Sequence, residues 1–72
     1  MSPASHVRLS VELTDSEAWE LAQLIKRIRF DQVAALTECG QSRQQREEQA
    51  YRMLHGLNQV GGALREVGYA PR

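Results

Sequence analysis

Residues 7–30 read VRLSVELTDSEAWELAQLIKRIRF, and two periods meet inside that stretch. From 7 to 13, Val7, Leu9, Val11 and Leu13 alternate with Arg8, Ser10 and Glu12, the two-residue period of a strand with one buried face. Thr14-Asp15-Ser16-Glu17 then has the form of a capping box. Its Thr hydroxyl can accept from the N–H three residues on, while the Glu reaches back to the Thr amide. From Ala18 the period becomes helical: Ala18, Leu21, Ala22, Ile25 and Ile28 share an arc of about 120° on a helical wheel. Arg29 and Gln32 would land in that same arc. A helix drawn over 15–38 therefore either breaks near residue 30 or packs its later part, Val33 to Leu36, with a shifted face.

Downstream, Cys39-Gly40-Gln41-Ser42 is the connection, and Gly40 suits the left-handed position after a helix. Ser42-Arg43-Gln44-Gln45 is a second capping box and opens a helix over 43–67. Along it Ala50, Met53, Leu54, Leu57, Val60, Gly61, Leu64 and Val67 occupy about 140° of the wheel. Gly56, Gly61 and Gly62 each cost roughly 1 kcal/mol against alanine in a helix interior, so this helix depends on tertiary packing. Gly61, on the apolar stripe, lets another helix come close. Gly68 can end the helix, with Tyr69 packing back on Leu64 and Pro71 preventing continuation.

The expected fold class is thus mostly α, in a single domain over 1–72: one N-terminal β-strand at 7–13 followed by two amphipathic helices forming a hairpin. A lone strand has no ladder partner in its own chain. The economical partner is the same strand from a second copy, which makes Val7, Leu9, Val11 and Leu13 the expected dimer residues. Chain length points the same way, since a single core in 72 residues rarely supplies more than about 3–5 kcal/mol of net stability.

Nine Lys+Arg balance nine Asp+Glu, so there is no global basic field of the kind that draws proteins onto nucleic acid. The single cysteine, Cys39, allows no intrachain disulfide, which fits a reducing cytoplasm. Met1 to His6 has neither the basic nor the apolar part of a secretory leader, and no run of 18 apolar residues occurs. Secretion and membrane spanning are both disfavoured.

Chemistry-bearing groups are sparse. Cys39, His6 and His55 are isolated in sequence, which does not give metal-ligand spacing. Cys39 falls just past a helix end, where the dipole raises a thiol pKa and opposes nucleophilic use. The Asp and Glu residues form no pair set for acid–base work, and Gly61-Gly62 lacks the strand and the Lys-Ser/Thr of a phosphate loop. The expectation is no enzyme, no metal and no cofactor. Trp19, Phe30 and Tyr51 lie outside the core stripes of their helices, where large aromatics serve either as interface anchors or as part of a curved core. Lys26, Arg27 and Arg29 form a short basic cluster beside them. These six are the candidate partner-binding residues.

A strand followed by two helices, dimerising through the strand, resembles the ribbon-helix-helix DNA-binding family. That resemblance would send His6, Arg8, Ser10 and Glu12 into a DNA groove, a face on which one Arg is offset by one Glu. The first glycine turn, at Gly40, also comes far later than that family's tight turn. A DNA-binding regulator is therefore the alternative reading. VELTDSEAWELAQLIKRIRF (11–30), EEQAYRM (47–53) and LREVGYAPR (64–72) resemble a group of small uncharacterised proteins of proteobacteria and their prophages and plasmids. The resemblance implies an accessory protein of a mobile element. It is similar in general character to anti-defence inhibitors, anti-CRISPR proteins included, which act by covering a host protein or complex.

Overall fold

The computed structural model describes residues 6–37 and 40–71. Among the described residues three helices follow one another: α1 (Asp15–Arg27), α2 (Phe30–Ala34) and α3 (Arg43–Glu66). At 24 residues α3 is about 36 Å long, close to the 39 Å long axis of the whole molecule. It acts as a platform: α1 and α2 both pack on α3. Cys39 lies outside the described residues, so its expected place after a helix end is not addressed.

Local chemistry sets the helix boundaries. At the start of α1, the Glu17 N–H donates to Thr14 Oγ1 (3.1 Å) and the Thr14 N–H donates to Glu17 Oε1 (2.9 Å). The Thr14 amide holds the Glu17 carboxyl below its ordinary pKa of 4.5, with help from the Thr14 hydroxyl. A lowered carboxylate pKa stabilises the fold above pH 4.5, and that stabilisation is lost as pH falls through the lowered value. Ser42 and Gln45 make the same reciprocal pair at α3, at 3.2 and 3.0 Å.

The expected helix over 15–38 is two helices. Ile28 (ψ 140°) and Arg29 (φ −115°, ψ 161°) are extended, and the Arg29 N–H donates to Gln32 Oε1 at 2.9 Å. This break takes Arg29 and Gln32 off the apolar stripe of α1, where they would have been buried without partners. At the other end, α3 closes with Gly68 at φ +105°. The Gly68 N–H donates to Arg65 O (3.1 Å) and the Tyr69 N–H to Leu64 O (2.9 Å), the two bonds of a Schellman stop.

The core is small. Ala18, Ala22 and Ile25 of α1 are buried with Leu64 of α3, and Leu21, Leu57 and Tyr69 pack around them. Under the other end of α3 lie the buried Val33 and Ala50. α1 comes close to the backbone of α3 at Gly61, where an added Cβ would sit 2.8 Å from Ile25 Cγ2.

The N-terminal strand is corrected by the structure. Residues 7–13 carry no strand, and among the described residues no β-ladder exists. Val7 (84%), Leu9 (73%), Val11 (70%) and Leu13 (41%) are exposed instead of lining a buried face. The alternating pattern is real, but a strand is defined by main-chain pairing with a neighbour, and α1 to α3 satisfy their own backbones and offer no edge. These four residues therefore form an exposed apolar arm without regular secondary structure, and the fold gives no support to pairing of two copies through a strand at this position.

Two adjacent glycines test the packing of α1. Gly61→Ala should lower stability by about 1 kcal/mol or more, because overpacking against Ile25 outweighs the gain in helix propensity. Gly62→Ala, whose Cβ would meet only Arg65 Nη2 at 3.7 Å, should raise it by about 1 kcal/mol. Urea midpoints of the two variants should move in opposite directions. Movement of both upward would show that α1 is not seated on Gly61.

Candidate protein-binding surface

Each candidate aromatic has an intramolecular partner. Trp19 meets Tyr69 edge-on, with ring centroids 5.0 Å apart, and Phe30 lies against Tyr51 at 4.6 Å. Such pairs add about 0.5–1.5 kcal/mol beyond the area they bury. Both ring pairs are still open to solvent on one side, since Trp19 and Tyr51 are exposed. They fasten α1 to the C-terminal tail and α2 to α3 while presenting aromatic surface.

The basic cluster is divided among three settings. Lys26 Nζ donates to Pro71 O at 2.8 Å, so this cation holds the tail that follows α3. It lines a shallow groove with Arg65, Asn58 and Tyr69. Arg27 borders a different depression, with Leu24, Ile28 and Gln32. Arg29 sits at the break before α2. The three do not converge on one phosphate-sized site.

Two polar connections had no signal in the sequence pattern. Thr37 is buried; its hydroxyl donates to Ala34 O (2.7 Å) and accepts from Arg46 Nε (3.1 Å), tying the end of α2 to α3. The Tyr69 hydroxyl donates to Asp15 Oδ1 at 2.6 Å, across 54 residues of sequence. That bond to a carboxylate holds the phenol proton and pushes the Tyr69 pKa above 10.0. The neutral phenol is the form the fold prefers, so this contribution is complete below pH 10.0 and is lost as pH rises through the raised value.

The groove between α2 and α3 differs in character from the Lys26 groove. Ile28, Val33, Leu36, Met53, Gly56, Leu57 and Val60 line it, with Arg52 at its rim, and Leu36 and Val60 are exposed. The molecule thus offers two unpartnered apolar elements: the arm over 7–13 and this groove. Among the described residues, no group of three His, Cys, Asp or Glu side chains could hold a metal ion. No helix of the described residues is long and apolar enough to cross a membrane.

Titration of Tyr69 tests the long-range bond. In a Tyr51→Phe background, the single remaining phenol should titrate above 10.0 by ultraviolet absorbance, and Asp15→Ala should return it toward that value. An unchanged titration in Asp15→Ala would show that the C-terminal tail does not reach α1.

Over residues 1–72 the chain matches the model of a family of unknown function, DUF7706, and it belongs to that family. No curated protein and no solved structure matches it.

Proposed function

With that family membership as premise, we propose that this chain is a non-enzymatic binding protein that acts by stoichiometric occupation of a surface on a target protein. The observation that carries this reading is the arm. Val7, Leu9, Val11 and Leu13 are all exposed to solvent, and in fully extended form, with these four on one side, the seven residues would reach about 23 Å. Exposed apolar surface of this kind marks interaction sites on folded proteins. An extended segment can also offer unpaired main-chain groups together with alternate side chains to a partner. Ordering the arm costs conformational entropy at the moment of binding, which suits a contact that forms only on the correct target.

The target class follows from the resemblance to mobile-element accessory proteins: a host protein or complex met in the cytoplasm, defence machinery included. Trp19 and Tyr51 add exposed aromatic surface on the helices, and Lys26, Arg27 and Arg29 are separate candidate contacts for the target. The alternative, a ribbon-helix-helix-like DNA-binding regulator, has weaker support, because the face it would turn to DNA carries one Arg offset by one Glu.

Affinity capture from a proteobacterial lysate with tagged protein, with and without nuclease, tests the proposal. Capture of one protein complex should survive nuclease and be lost in Leu9→Asp/Val11→Asp, while the circular dichroism of that variant stays unchanged. Recovery of a discrete DNA fragment released by high salt, or capture indifferent to the arm substitutions, would contradict it.

A further inference from the structure

α3 carries two apolar stripes side by side. The inner one, Ala50, Leu57, Gly61 and Leu64, faces the other helices of the chain. The outer one is Met53, Gly56, Val60 and Ala63, continued by Val67 just past the end of α3, at intervals of 3, 4, 3 and 4 residues. That is the spacing of a helix-pairing seam. Gly56, Val60, Ala63 and Val67 are exposed along it, and nothing lies within 4 Å of a Cβ built on Gly56.

We propose that this outer seam pairs with the same seam of a second copy, antiparallel about a two-fold axis near Asn58 and Gln59. The inference does not rest on the target-binding reading above. Shape supports it first. With the copies antiparallel, Val60 of each fills the space over Gly56 of the other, and Met53 meets the small Ala63 of the second copy. Charge supports it second, because in this same register the seam's flanking positions set Arg52 against Glu66 of the second copy, twice by symmetry, and Gln59 against its own equivalent. All three flanking residues are exposed. A patch that complements itself is what a two-fold interface requires, and a net charge of zero opposes no such encounter.

The Leu36 side of the apolar groove flanks the seam and would be covered with it.

Light scattering on the full chain across micromolar concentrations, coupled to size exclusion, should give twice the 8.2 kDa chain mass. Val60→Arg, at a residue already 39% exposed, should give 8.2 kDa with unchanged helicity. Charge exchange identifies the register: Arg52→Glu alone or Glu66→Arg alone should weaken dimerisation about tenfold through two symmetric like-charge pairs, and the double exchange should restore it. A monomer at every concentration, a dimer indifferent to Val60→Arg, or a double exchange no better than either single one would overturn the proposal.

Discussion

The approach of Ile25 to the bare backbone at Gly61 is the contact on which the other tertiary contacts of α1 depend. A side chain at 61 would hold α1 away from α3, and the small residues Ala18 and Ala22 could not then be buried. Seated as it is, α1 brings Asp15 within reach of Tyr69 and Lys26 within reach of Pro71. The C-terminal tail is thereby folded back and held at both ends of α1. The glycine weakens α3 as an isolated helix and stabilises the assembly of which α3 is the platform.

One long helix cannot bury all of its apolar surface against two short ones. α1 is 13 residues and α2 only five, and they cover the inner stripe of α3 while leaving the outer one open. The arm has no place in the small core either. What results is a chain with a tightly specified helical platform and apolar surface left over in two separate places. The proposed binding of a target would use the arm, and the proposed pairing with a second copy would use the outer stripe.

Short-range chemistry was readable from the sequence. Both capping boxes, the Gly68 stop with Tyr69 turned back, and the role of Gly61 depend on residues a few positions apart or on a single missing side chain. The break at Ile28 and Arg29 is only half legible, because a wheel shows that Arg29 and Gln32 are misplaced on one straight helix but not how the chain relieves it. Alternation records which side chains are apolar, whereas a strand exists only where main-chain groups pair, and the described residues offer residues 7–13 no such partner. Trp19 with Tyr69, Phe30 with Tyr51 and Thr37 with Arg46 join distant or differently facing positions, and helical period alone cannot select among such partners. Of the six candidate partner-binding residues, the three aromatics rest on that period and the three cations on adjacency in sequence, and the structure distributes them over several parts of the surface.

Amide hydrogen exchange of the full chain, read residue by residue, measures this arrangement most directly. Amides of residues 7–13 should exchange near the rate of an unstructured peptide, while those of Ala22 to Ile28 and of Leu57 to Leu64 should be slowest and open together as one cooperative unit. Protection of the arm in the free protein, or opening of α1 with no loss of protection around Gly61, would contradict a platform helix that holds α1 and leaves the arm free.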